Sequence, residues 1–120
     1  MSDDAAQVPE PSVIDAIKAE FPNRRVKRVV MDDDGEELVF VLTSPIREEW
    51  KKYRREMTDA ASDIEKMEGA IERAALAQIR WPLRPEVREI FENRPGIIQN
   101  FALEITKLAG AHAEVSAKNA

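Results

Sequence analysis

A chain of 120 residues has room for one domain around one core, and its 43% hydrophobic and 34% charged residues exclude a disordered polypeptide. A net charge of −5 argues against general duplex binding, because neutralising phosphates requires a positive field. With no cysteine and no apolar run near the ~20 residues of a membrane span, the expected protein is soluble, intracellular and free of disulfide or thiolate chemistry.

Residues Met1 to Pro11 mix acidic, small and proline residues, lack the regions of a signal peptide and read as a flexible arm. Ser12 is a candidate cap for a short helix, with Asp15 three positions on. Val13, Ile14 and Ile17 share a face, Phe21 can fold back onto it, and Pro22-Asn23 stops the helix. A helix docked on a sheet is favoured here over a partner-binding one.

The stretch RVKRVVMDDDGEELVFVLT reads as a β-hairpin turning at Asp34-Gly35, a pair that tolerates the positive φ angles of a tight turn. The acidic run from Asp32 to Glu37 also invites a calcium reading. Consecutive carboxylates in a turn do not reproduce the alternate ligands and distant glutamate of an EF-hand loop, so no metal site is expected. The second strand sets Leu38, Phe40 and Leu42 on one face and Val39 and Val41 on the other, so it requires cover on both sides. A hairpin alone is marginal in water, so either helices pack on it or its edge accepts a strand from a partner or a second copy of the chain.

Ser44-Pro45 has the chemistry of a helix start, with serine as the cap and proline at the first helical position. Ile46, Trp50, Tyr53 and Met57 then recur at helical spacing. The cluster Lys51-Lys52-Tyr53-Arg54-Arg55 resembles a nucleic-acid patch, but Glu48 and Glu49 precede it at ion-pairing distance along a helix, which favours a solvated face. After a break with Ser62 or Asp59 as cap, a helix is expected from about Asp63 to Arg80, carrying Ile64, Met67, Ile71 and Leu76. Gly69 within it suggests a close helix crossing.

The segment from Leu76 to Leu108 organises the C-terminal half. Trp81-Pro82 ends one helix, Pro85 starts a short one with Val87, Ile90 and Phe91 inward, and Asn93-Arg94-Pro95-Gly96 turns the chain again. A closing helix places Ile98, Phe101, Ala102, Ile105, Leu108 and Ala109 on one face and stops at Gly110. The expected fold is α+β and mostly α: a short N-terminal helix and a β-hairpin, followed by a four-helix body. Residues 12–110 form one domain between a flexible arm, 1–11, and a frayed tail, 111–120.

Chemistry is scarce. His112 is the sole histidine and lies in the tail, and the carboxylates are scattered without a glycine-rich loop or an HExxH arrangement. No catalytic residues, cofactor or metal are expected, and the chain reads as a non-enzyme.

The order of parts resembles the small tail assembly chaperones of long-tailed bacteriophages. The resemblance rests on VFVLTSPIREEWKKYRREM and on ALAQIRWPLRPEVREIFENRPGIIQNFALEITKLAG. In these stretches Phe40–Ser44, Trp50–Arg54, Trp81–Pro82, Phe91–Gly96 and Leu108–Gly110 stand where that family has a β segment, an aromatic and basic helix, a W/Y-P corner, a P-G corner and an L-x-G ending. It covers residues 38 to 110. It implies a non-enzymatic protein of the bacterial host cytoplasm that binds the aggregation-prone tape-measure protein while tail subunits assemble around it. An apolar groove with a charged rim would suit that client, and Trp50, Tyr53, Met57, Ile64, Met67 and Ile71 are the candidate groove residues. Taken singly, each is favoured as core. The alternatives are a structural connector of the virion using the hairpin edge, and a nucleic-acid-binding regulator using Lys51 to Arg55 with Trp81 and Arg84.

Overall fold

The computed structural model describes residues 8–117. Most of the arm expected at 1–11 lies outside them. Within the described part, helix α1 (Pro11–Glu20) begins one residue earlier than the expected domain start. Pro11 occupies a first-turn position where its missing N–H costs nothing, and Ser12 makes no side-chain cap.

Two strands follow. β1 (Val26–Asp33) and β2 (Glu36–Thr43) pair antiparallel with Asp33 opposite Glu36, joined by Asp34 and Gly35 at φ 55° and 88°. Both central residues lie in the left-handed region that this two-residue turn demands, and Asp32 Oδ1 accepts the Gly35 N–H at 2.9 Å. The sequence therefore specifies the register locally. At the tip, Arg94 donates to Asp33 Oδ2 at 2.6 Å and also to Glu36, one guanidinium across both legs of the hairpin.

Helices α2 (Arg47–Ala60) and α3 (Ile64–Gln78) form the expected antiparallel hairpin, but both start differently from the sequence reading. Ser44 does not cap α2. Its hydroxyl accepts the Arg25 N–H at 2.9 Å, extending the β1–β2 pairing, and the helix begins two residues later, where Glu49 Oε1 takes the Ile46 N–H at 3.0 Å. Asp63, rather than Ser62 or Asp59, caps α3 by accepting from Lys66 N–H at 3.2 Å. Gly69 marks no crossing: a Cβ added there would meet only Arg73 of its own helix.

The largest departure follows α3. The helix expected to reach Arg80 stops at Gln78, and Ile79–Trp81 becomes a third strand, β3, antiparallel to β2 with Ile79 opposite Leu42 and Trp81 opposite Val41. The sheet order is β1-β2-β3, so β2 is central and apolar on both faces, and β1 lies at the edge. A three-residue strand is too short to show a period of two, and Ile79 also continues α3's apolar stripe. Pairing with β2 decides the outcome. A cis Trp81–Pro82 peptide then turns the chain into α4 (Arg84–Asn93), a 3-10 turn over Pro95–Gln99 and α5 (Asn100–Leu108). Gly110, at φ 84°, ends the last helix, and His112 lies exposed beyond it.

One face of the sheet, through Val29, Met31, Leu38, Phe40 and Leu42, packs on Tyr53, Ile71, Val87, Ile105 and Leu108. At its centre Phe40 and Phe101 meet edge to face with ring centroids 5.1 Å apart, and Phe91 joins Phe101 at 5.6 Å. The first and last thirds of the chain are tied by Lys27–Glu104 at 2.8 Å and by Arg25, which bonds the Lys107 carbonyl at 3.1 Å and the Leu108 carbonyl. Those carbonyls carry the negative end of α5, where a cation is favoured. The architecture is α+β and mostly α, with the hairpin and four-helix body of the sequence reading and one added strand. No helix among the described residues is long and apolar enough to cross a membrane.

Candidate functional site

The six groove candidates divide into three kinds of position. Tyr53 and Ile71 are buried core residues. Trp50, Met57 and Met67 are half-buried, the first two against the core cluster. Ile64, in the first turn of α3, is 70% exposed. Ile64 and Met67 are three residues apart and so share a face of α3. The structure thus brings five of the six candidates onto or under the α2–α3 hairpin surface in graded depth and leaves Ile64 open at its tip.

The base of the hairpin holds a cavity of about 170 Å³ between the two helices, walled by Trp50, Tyr53 and Ala74 and floored by Glu49 and Gln78. Trp50 and Tyr53 stack at a tilt with ring centroids 5.8 Å apart, and Arg54 lies over the indole at 5.9 Å. Burial raises the Tyr53 phenol above its ordinary value. Lys51 and Arg55 stand exposed outside the cavity, Lys52 is exposed at its rim, and Glu56 reaches Arg73 across the hairpin at 3.5 Å.

The floor is a polar network that the sequence reading missed. Gln78, 1% exposed, donates through Nε2 to Glu49 Oε1 at 2.9 Å and accepts from the Thr43 hydroxyl at 3.0 Å. Glu49 also pairs with Arg24 at 2.8 Å, and Arg80 Nε donates to Thr43 Oγ1 at 3.1 Å. The Arg80 guanidinium lies 4.1 Å from the centre of the Phe21 ring. Burial, and then Arg24, lowers the Arg80 pKa, while Glu49 and Glu20 oppose that shift. Every polar atom buried here has a partner, so the network fixes the entry of α2 and the exit of α3 against β2. It also corrects the expected ion pairs along α2: Glu49 turns inward to Arg24 and Gln78, and no Glu48 or Glu49 pair to a residue of its own helix lies within 4.0 Å among the described residues. A glutamine within the apolar run ALAQI was the one available signal.

No protein-family model matches the chain, and no curated protein matches it. A solved structure does. The uncharacterised protein rbstp2171 from Bacillus stearothermophilus superposes with a TM-score of 0.65 at 23% identity, over 87% of this chain and 98% of that one. Likeness at that identity establishes a shared fold and leaves the site to be read from its own geometry.

The other sequence candidates are dispersed. Trp81 is half-buried in β3, Arg84 closes the end of α3 by donating to the Leu76 carbonyl at 3.0 Å, and neither lines the depression formed by Trp50, Lys51, Arg54 and Arg55. Among the described residues no group of three His, Asp or Glu side chains is arranged to hold a metal ion.

Proposed function

We propose that this chain is a non-enzymatic phage tail assembly protein that holds the tape-measure protein, or another tail protein, in the bacterial cytoplasm until subunits assemble around it. The observation that carries the reading is the graded apolar surface of the α2–α3 hairpin. Ile64 is exposed at the tip, Met57 and Met67 are half-buried, and a cavity beside Trp50 has room for one large side chain. Beside them Trp50 is bordered by Lys51, Arg54, Arg55 and Asp59. Apolar anchors with a charged rim suit an amphipathic helix, whose anchors recur every three or four residues and whose polar face meets charge. Methionine adapts to varied anchors.

Co-expression with the tape-measure protein tests this. The expected result is a soluble complex in which Trp50 fluorescence shifts. Replacing Ile64 and Met67 together by serine abolishes capture while the melting temperature holds. A tape-measure protein that stays insoluble beside the wild-type chain overturns the reading. Stoichiometric recovery of the chain in mature particles would favour the second reading instead, a virion connector that adds a strand to the free edge of β1.

A further inference from the structure

We propose that the outer edge of β1 pairs with the same edge of a second copy, antiparallel about Val30, to form a six-stranded sheet across a two-fold axis. The inference uses none of the residues of the α2–α3 site and stands or falls independently of the client.

The geometry begins at the turn. A two-residue hairpin makes Asp33 and Glu36 a hydrogen-bonded pair, so Met31, Val29 and Lys27 also direct their backbone groups toward β2. The Ser44 N–H donating to the Arg25 carbonyl at 2.8 Å continues the same alternation. Val26, Arg28, Val30 and Asp32 therefore direct their N–H and C=O groups away from β2, and no described residue takes them up. This edge is eight residues long, without proline, glycine or a bulge in its pairing to β2. Edges of that kind pair with other strands unless something forbids it.

Charge names the occupant. The sequence VKRVVMDD reverses sign about Val30, with Lys27 and Arg28 before it and Asp32 and Asp33 after it. A parallel second copy would set Arg28 against Arg28, and antiparallel copies centred on position 28 or 32 would juxtapose like charges. Centred on Val30, each Arg28 faces the other copy's Asp32 on the outer side of the sheet, and each Lys27 faces Asp33 on the inner side. Cross-strand neighbours at that spacing interact directly. Lys27 and Asp33 are already engaged by Glu104 and Arg94, whereas Arg28 and Asp32 are exposed and have no ion pair among the described residues. Val30, 48% exposed on a strand whose other face is buried, would meet its own copy on the axis.

Sedimentation equilibrium of the full chain over a concentration and salt series is the test. The wild type is expected to dimerise, more weakly as salt rises. Arg28→Asp and Asp32→Arg each convert two attractive pairs into repulsive ones and should weaken the dimer by roughly 100-fold or more. Mixed one to one, the two variants regain complementary pairs at both sites and should form a heterodimer. A wild-type chain that stays monomeric throughout overturns the proposal, as does a dimer that Arg28→Asp leaves intact, or two folded variants that ignore each other. Asp32 also holds the turn, so if Asp32→Arg fails to fold, Arg28→Asp, which breaks no contact within one copy, decides alone.

Discussion

The two ends of the α2–α3 hairpin both carry large apolar side chains, Tyr53 at the base and Ile64 at the tip, and behave as different materials. At the base, Tyr53, Ala75 and Gln78 are buried, Gln78 is tied to β2 through Thr43, and Glu49 anchors the start of α2 to Arg24. At the tip, Ala61 turns the chain at φ 53°, a backbone region that a residue with a Cβ adopts only under strain, and Ile64 follows in open solvent. Position within the fold, rather than hydrophobicity, separates a residue that stabilises the chain from one free to meet a partner.

Four substitutions would break or sharpen that contrast, each measured by urea unfolding with the slope checked for constancy. Tyr53→Ala, which empties a buried aromatic site at the base, should destabilise by about 3–5 kcal/mol. Gln78→Ala leaves the Thr43 hydroxyl and one bond to Glu49 unmatched in a buried setting, and should cost about 1–3 kcal/mol. Ala61→Gly should act in the opposite direction, stabilising by about 1 kcal/mol as the positive φ loses its steric penalty. Ile64→Ser at the exposed tip should stay within about 0.5 kcal/mol of wild type. Should Ile64→Ser prove as costly as Tyr53→Ala, base and tip would be one continuous core and the distinction would vanish.

What the sequence made legible was local chemistry. Asp34-Gly35 sets its own turn, Phe101, Ile105 and Leu108 repeat at helical spacing, and Gly110 ends a helix by adopting a positive φ. Hidden from it were the features settled by a distant partner. Ser44 looks like a cap until Arg25 claims its hydroxyl, and Ile79–Trp81 reads as helix until β2 supplies a ladder. Glu49 has basic neighbours along its own helix yet points to Arg24, 25 positions away. The candidate site shows the same division. Its apolar stripe was readable at helical spacing, whereas the Glu49–Gln78–Thr43 floor exists only once strand and helices are assembled.

Arg94 carries a consequence of its own. The reverse bend of the hairpin gathers Asp32, Asp33, Asp34, Glu36 and Glu37 into one anionic knot, and the cation that bridges it arrives from the corner after α4. Until that corner is made, the knot repels itself and is eased only by dissolved counterions. The acidic loop should therefore be most sensitive to ionic strength while the chain is still folding, and least so once Arg94 is seated.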